Sequence, residues 1–315
     1  MSNLLARFAE NAFWIARYME RAEDLARILD VNETFAREST GAADWQPIVY
    51  LNSDEKRFFE KHGAATAEAV LHYYVLDDDN PSSIRSAVRA ARDNARSLRH
   101  LISTEMWRQL NVFYERLTRL GPPDIEVSNL AKLCTNIKEA CQTHAGITDG
   151  TLLHDEAWLF YNIGKYIERA DQTTRLLDIK FQYLRAPAGD ERFLDMSQWN
   201  ALLQSVAGYH AFVRVHPHGI RTEDVAAFLL TNLDFPRSVA LCVETVDGLV
   251  GDLHNNFGLK LDRRIARALT DLAAGLDERN IGEIMRTGVH EFIDRVQLQL
   301  GILSKEMHRG FFASH

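Results

Sequence analysis

The feature that most constrains the fold is a helical segment that occurs twice in the chain. Residues 17–31 read RYMERAEDLARILDV and residues 165–179 read KYIERADQTTRLLDI, an offset of 148 residues. Seven of the fifteen positions are identical and five more are conservatively replaced. A second, weaker likeness follows in the same order, between VLDDDNPSSI at 75–84 and LTNLDFPRSV at 230–239. We interpret the two matches as an internal duplication.

Periodicity throughout the chain indicates helices. In the first copy Ile15, Tyr18, Ala22, Leu25 and Leu29 recur at steps of three and four, so they share one helix face. Helices are predicted over 4–38, 53–75, 81–118, 128–147, 153–185, 197–214, 222–233, 236–256, 262–275 and 280–309. Since no stretch shows the sustained alternation of a strand, the sequence predicts an all-α helical bundle built from two pseudo-symmetric, duplicated helical halves.

The repeat also predicts the domain organisation. A chain of 315 residues is long enough for one large domain or two modest ones. The spacing of the copies places a first helical half at 1–150 and a second at 151–315. A period this long is unlike that of a solenoid, so we expect the halves to form one compact domain.

Composition bounds the partners and the compartment. A formal net charge of −8 repels phosphate backbones and disfavours nucleic-acid binding. Three cysteines are a sparse, odd set that argues against a disulfide framework, and we expect Cys134 and Cys141 to be buried thiols. The chain shows neither a signal-peptide pattern nor an apolar run of membrane-spanning length. The sequence therefore predicts a cytoplasmic protein that does not enter the membrane.

The candidate site is the repeated motif itself, because its charged positions agree between copies while the packing position Leu25 becomes Thr173. Solvated faces should diverge faster than packed ones, which favours a constraint on the charged side. The alternative is that charges opposite the apolar stripe simply face water. The candidate residues are Arg17, Tyr18, Glu20, Arg21, Arg27, Asp30, Lys165, Tyr166, Glu168, Arg169, Arg175 and Asp178.

Adjacent charges in the motif need partners elsewhere. Glu20 and Arg21 point about 100° apart on a helix and cannot easily pair with each other. We expect the two motif helices to pack antiparallel near a pseudo-two-fold axis, with Glu20 meeting Arg169 and Glu168 meeting Arg21. Pairs within each helix are expected at Glu23–Arg27, Arg27–Asp30, Asp171–Arg175 and Arg175–Asp178.

Aromatic side chains accompany both copies of the motif. The first group is Phe13, Trp14 and Tyr18, and the second is Trp158, Tyr161 and Tyr166. Core packing is the default interpretation of such groups. The alternative is an aromatic-lined pocket beside the Glu and Arg residues, which would suit a peptide or an amino acid.

Sequence signals for other chemistry are weak. The chain contains no GxxxxGK[ST], GxGxxG or GxSxG pattern and no paired Glu-x-x-His motif. The histidines at 210, 216 and 218 and the acidic loop 77–79 lack the ligand spacing of a zinc or calcium site. We expect no metal and no cofactor.

Four segments resemble the bacterial alpha-E family, an all-helical domain of unknown function named for its Glu-Arg motif. They are AENAFWIARYMERAEDLARILDV (9–31), NPSSIRSAVRAARDNARSLRHLISTEMWRQLN (80–111), YNIGKYIERADQTTRLLDI (161–179) and DFPRSVALCVE (234–244). The resemblance implies association with circularly permuted ATP-grasp ligases and transglutaminase-like proteins, and hence a role in making or modifying an amide-linked product.

Three functional hypotheses follow from the motif and the resemblance. The first is a non-catalytic partner or peptide- or amino-acid-binding subunit of an ATP-dependent amide-bond-forming system. The second is an enzyme that uses Glu20 or Glu168 as a general acid or base, and the third is a purely structural scaffold. A peptide ligand and a homo-oligomer are left open by the sequence. Burial separates the hypotheses, because a packed motif favours a scaffold and a motif on an open cavity favours binding or catalysis.

Overall fold

The protein is described by a computed structural model over residues 4–38, 44–183, 191–277 and 281–313. Within these ranges the regular structure is entirely helical, which confirms the all-α prediction. The helices are α1 Ala6–Glu38, α2 Gln46–Leu51, α3 Glu55–Lys61, α4 Ala67–Leu71, α5 Ile84–Ser97, α6 Thr104–Thr118, α7 Val127–Thr151, α8 Glu156–Tyr183, α9 Glu191–Ser205, α10 Tyr209–Val215, α11 Thr222–Leu230, α12 Val239–Phe257, α13 Arg263–Gly275, α14 Ile281–Thr287 and α15 Val289–Met307. Single π-helical turns, His72–Leu76 and His308–Phe312, extend α4 and α15.

The two motif helices, α1 and α8, lie at the centre of the bundle. Helix α1 packs against α5, α7, α8 and α9, and α8 packs in addition against α12 and α15. Because neighbours surround α1, it buries charged side chains as well as apolar ones, and Glu23, Asp24 and Arg27 are each at most 4% exposed. The alternative in which the charged side of this helix faces water is therefore wrong for these positions.

The two central helices run in the same direction. Phe312, just beyond α15, packs against Phe13 near the start of α1 and against Phe160 near the start of α8, with ring centroids 5.3 and 5.5 Å apart. Further along both helices Arg169 contacts Glu20. The expected antiparallel packing is wrong, because the starts of the two helices lie together and later residues of one contact later residues of the other.

A glycine allows these helices to touch closely. A Cβ atom added at Gly164 of α8 would overlap the carbonyl group of Phe13 in α1. Any larger residue at Gly164 would therefore force the helices apart. This contact holds the motif side chains, one to two turns further on, within bonding distance of the opposite helix.

Several predicted helices are divided in the structure. The segment predicted at 81–118 forms α5 and α6, because Ser103 accepts a hydrogen bond from the Met106 N–H at 3.0 Å and caps a new helix. The segment predicted at 280–309 is interrupted at Gly288, whose φ of +125° favours glycine. Ala207, with a φ of 55°, separates α9 from α10 within the segment predicted at 197–214. The expected end of the 153–185 helix falls outside the described residues.

The weaker repeat begins a helix in the same way at both places. Ser83 and Ser238 each cap a helix by accepting a hydrogen bond from the backbone N–H three residues further on. Each hydroxyl also donates to a backbone carbonyl six residues earlier, that of Asp77 or Asn232. The two loops thus share a hydrogen-bond pattern, while duplication of the whole chain stays a prediction.

The apolar core extends through both predicted halves. Buried side chains from α1 to α15 form one connected hydrophobic cluster. The division near residue 150 remains a prediction. Among the helices described, none combines the length and the apolar character that a membrane crossing requires.

Candidate functional site

The first half of the site is a glutamate held by two arginines, and we call it the Glu168 centre (Arg17, Arg21, Glu168 and Gln172). Arg21 donates two hydrogen bonds to the Glu168 carboxylate, at 2.8 and 3.1 Å. Arg17 donates a third at 2.7 Å and Gln172 a fourth at 3.1 Å. Glu168 is 1% exposed. The predicted pairing of Glu168 with Arg21 is confirmed.

The second half contains the reciprocal pair, and we call it the Glu20 centre (Glu20, Glu23, Asp24, Arg27, Arg169 and Arg237). Arg169 donates to both oxygens of Glu20, at 2.6 and 3.0 Å, so the guanidinium grips the carboxylate with two parallel bonds. Glu20 is 5% exposed. The predicted pairing of Glu20 with Arg169 is confirmed, and two ion pairs in opposite senses join α1 to α8.

The arginines keep both motif glutamates ionised. Burial by itself raises the pKa of Glu20, but Arg169 and Arg237 outweigh it and hold the pKa below its usual value. Burial likewise raises the pKa of Glu168, while Arg21 and Arg17 lower it further than burial raises it. A general acid or base that works near neutral pH needs a pKa shifted the other way. These carboxylates are therefore unsuited to that role.

Additional charges crowd the Glu20 centre. Arg237 donates to Glu23 at 2.6 Å and to Asp24 at 3.0 Å, and Arg27 donates to Glu23 at 2.5 Å. Burial raises the pKa of Asp24 to about 7, and the arginine Arg237 only partly opposes this rise. One oxygen of Asp24 is buried and accepts no hydrogen bond from the part of the chain that the structure describes. This carboxyl group can therefore change its protonation near neutral pH.

Tyrosines of the motif lie against the pairing arginines. The Arg21 guanidinium carbon is 5.7 Å from the centre of the Tyr18 ring, and that of Arg169 is 5.4 Å from the Tyr166 ring. Arg17 lies in the same way 4.9 Å from Trp14. Each such contact is worth about 0.5–2 kcal/mol. Each ring lies against the guanidinium group of one arginine that pairs with a motif glutamate.

The expected pairs within each helix are only partly present. Arg27 binds Glu23, and Arg175 binds Asp171 at 2.8 Å, as their four-residue spacing predicts. The expected pairing of Arg27 with Asp30 is wrong. Arg27 instead turns inward to Glu23, and it also donates to the backbone carbonyl of Ser205 in α9.

The last aspartate of each motif binds a neighbouring helix. Asp30 accepts a hydrogen bond from Lys138 of α7 at 2.7 Å. Asp178 lies 2.6 Å from the Nδ1 atom of His290 in α15. These contacts place both residues at the junctions between the motif helices and the helices around them.

A cavity of about 340 Å³ opens beside the second copy of the motif. Its walls include Lys165, Tyr166, Trp158 and Asp149. Burial lowers the pKa of Lys165, and the neighbouring Arg169 lowers it further. The indole N–H of Trp158 finds no hydrogen-bond partner among the described residues. The cavity thus combines aromatic walls with one basic and one acidic side chain.

The cysteines are buried and free, which confirms the predicted buried thiols at Cys134 and Cys141. Burial raises the pKa of the Cys242 thiol to about 12, so it resists ionisation. Burial also lowers the pKa of His144 to about 3. In the part of the chain that the structure describes, no three His, Cys, Asp or Glu side chains are grouped to hold a metal ion.

Three members of the two centres, Asp24, Gln172 and Arg237, were not among the residues predicted from the sequence. In the weaker repeat, Arg237 of the second copy stands where the first copy has Ser82. The change from a small to a long basic side chain indicates that the second loop makes contacts that the first does not. Gln172 stands where the first copy has Asp24, so the two centres differ in charge. Comparing the copies for differences, as well as for agreement, would have identified all three.

Fold and site together define an all-helical protein whose central helices are joined by reciprocal, buried Glu–Arg pairs. The chain belongs to the Alpha-E family, described as a predicted alpha-helical domain with a conserved ER motif, whose model matches residues 4–312. The expected family membership is therefore confirmed.

Relatives of the chain occur in mycobacteria. An uncharacterized protein of Mycobacterium bovis is 25% identical over 279 residues, and one of Mycobacterium tuberculosis strain H37Rv is 24% identical over the same length. Each match covers 82% of this chain and 31% of the relative. The chain thus spans about a third of the length of these relatives. No solved structure matches the chain significantly.

Proposed function

We propose that this chain is a non-catalytic subunit that binds a peptide or an amino acid for an ATP-dependent amide-bond-forming system. The observation that carries the proposal is that the motif's four central charges satisfy each other in buried ion pairs. The motif therefore acts as an organiser of the fold. The open cavity at Lys165 and Tyr166 is a place beside the motif where a ligand can bind.

The chemistry of that cavity suits a zwitterionic ligand. Lys165 makes no ion pair among the residues that the structure describes, and Arg169 repels its charge. A ligand carboxylate would relieve this repulsion, and Asp149 at the cavity wall would attract an ammonium group. The rings of Tyr166 and Trp158 supply apolar walls. A free amino acid or the end of a peptide carries both charges.

The setting of the proposal comes from the family. The resemblance implies a circularly permuted ATP-grasp protein and a transglutaminase-like protein as partners, and the sparse cysteines favour the cytoplasm as the compartment. In the mycobacterial relatives the matched region makes up 31% of a longer chain, which supports a domain that works beside others. The paired, ionised state of Glu20 and Glu168 disfavours the alternative of an acid–base enzyme.

Binding of dipeptides tests the proposal directly. Isothermal titration with a panel of free amino acids and dipeptides should show binding by the wild type. Lys165→Met should weaken binding about tenfold or more because a charged partner is lost. Lys132→Met, at an exposed position of α7, is the matched control and should bind like the wild type. If no probe binds, or if Lys165→Met binds as well as the wild type, the binding proposal is wrong.

A purely structural scaffold is the second candidate, since the buried motif favours it. The assay that separates the two is product formation by the ATP-grasp partner with ATP and amino acids. The binding proposal expects the product yield to fall when this chain is omitted or carries Lys165→Met. If the chain is only a scaffold, the product yield should fall when the chain is omitted and should be the same for Lys165→Met as for the wild type.

A further inference from the structure

A second, larger groove lies away from the motif, between α11, α12 and α13. Its volume is about 910 Å³, and its floor is apolar, with Phe228, Val243 and Leu269 among the residues that form it. Helices α12 and α13 each contribute one face to the groove. Ala240, Val243, Glu244 and Asp247 recur at steps of three and four along α12 and line the groove together.

The rim of the groove exposes apolar side chains that the fold does not cover. Leu233 is 56% exposed and Val215 is 51% exposed, and both line the groove. Single exposed apolar residues are ordinary on a protein surface. Leu233 and Val215, however, lie at the edge of one groove whose floor is apolar. Together with that floor they form a continuous apolar surface that a partner can cover.

Among the described residues that line this groove, the carboxylates are not balanced by a lysine or an arginine. Asp234, Glu244 and Asp247 are exposed at its edge. Their carboxylates make no ion pair within the described residues, and neither lysine nor arginine is among the residues that line the groove. The groove between α6 and α7 is different, because Arg108 and Arg116 balance the acidic groups there. An unbalanced acidic rim selects a cationic partner.

The walls favour a helical occupant. They are mainly helices, whose backbone groups are already hydrogen-bonded, so an extended peptide would find no strand edge to join. A helix brings its own satisfied backbone and presents apolar residues at steps of three and four. We propose that this groove docks a basic amphipathic helix of a partner protein, with its apolar face on the floor and its Lys or Arg side chains against the three carboxylates. This inference goes beyond the proposed ligand cavity and does not depend on it.

The test uses a fluorescently labelled peptide of leucine and lysine whose leucines fall on one helical face. Anisotropy should show saturable binding to the full chain, weakening as salt rises. The triple variant Asp234→Asn, Glu244→Gln, Asp247→Asn should bind about tenfold or more weakly, since three rim charges are lost. Leu233→Ser should also weaken binding while leaving the salt dependence intact.

Matched controls distinguish specific docking of the peptide in the groove from nonspecific binding. Neutralising Glu105 and Glu139 at the α6–α7 groove should leave binding unchanged, and the circular dichroism of each variant checks that the fold is kept. A peptide of the same composition with scrambled leucines should bind at least about tenfold more weakly. Equal binding of the scrambled peptide, or unchanged binding by the triple variant, would overturn the proposal.

Discussion

The Glu168 centre and the Glu20 centre use the same motif contact in different electrostatic surroundings. At the first, one carboxylate is bound by two guanidinium groups and a neutral amide. At the second, three carboxylates share three arginines. The difference follows largely from two positions, Asp24 against Gln172 and Arg237 against Ser82. The same Glu–Arg contact therefore joins the two helices at both centres. The residues around each contact determine how the stability of that centre depends on mutation and on pH.

The largest effect should come from removing the carboxylate with two arginines. Glu168→Gln leaves Arg17 and Arg21 without their anion, and we expect the free energy of unfolding to fall by about 3–5 kcal/mol. Glu20→Gln should cost less, because Arg237 keeps its bonds to other carboxylates and the acidic crowding is relieved. Urea unfolding followed by circular dichroism measures both. The exposed Glu139→Gln on α7 is the control, and equal losses at the two centres would break the comparison.

A smaller effect is expected at the contact between the central helices. Gly164→Ala places a methyl group against the Phe13 carbonyl and should lower the free energy of unfolding by about 1–3 kcal/mol. Gly301→Ala in α15 meets no atom within 4 Å and should raise the stability by about 0.5–1 kcal/mol. Thermal and urea unfolding of both variants test this. If both alanines stabilise the protein, the close approach of α1 and α8 is not a constraint.

The smallest effect is a pH dependence near neutral pH, which the Glu20 centre should show and the Glu168 centre should not. The folded pKa of Asp24, about 7, lies above its unfolded value, so the folded protein holds a proton that the unfolded chain releases. Stability from this group is present at low pH and is lost as pH rises through about 7. Arg237, Arg27, Glu20 and Glu23 face the group and set the balance.

Unfolding measured between about pH 5 and 8 isolates this contribution. Asp24→Asn should remove up to about 2 kcal/mol of pH-dependent stability relative to the wild type. Gln172→Asn, at the matching position of the other centre, should leave the slope of stability against pH unchanged. A wild-type slope that persists in Asp24→Asn would show that other groups cause it.

Sequence reasoning predicted the helical class and both Glu–Arg pairs, because agreement between two copies exposes positions that share a constraint. It predicted the wrong direction for the helices, since reciprocal pairing between Glu20 and Arg169 and between Glu168 and Arg21 is compatible with either direction. The close contact between Gly164 of α8 and Phe13 of α1 removes this ambiguity. A residue pattern alone does not reveal that contact.

Burial of the charged side of α1 was the second element that the pattern could not supply. An amphipathic pattern predicts that one face of the helix is exposed to solvent. Other helices surround α1, however, so Glu23 and Asp24 are buried together with their arginines. Arg237 reaches them from a loop that lies 213 residues beyond Asp24 in the sequence. Local periodicity carries no information about partners at that separation.

The most direct test of the structural role of the motif is a double-mutant cycle on Glu20 and Arg169. Urea unfolding of the wild type, Glu20→Gln, Arg169→Gln and the double variant gives the coupling energy between the two side chains. If the pair joins α1 to α8, the two losses are not additive and the coupling is about 1–3 kcal/mol. Losses that add to within about 0.5 kcal/mol would contradict the claim that this contact organises the fold.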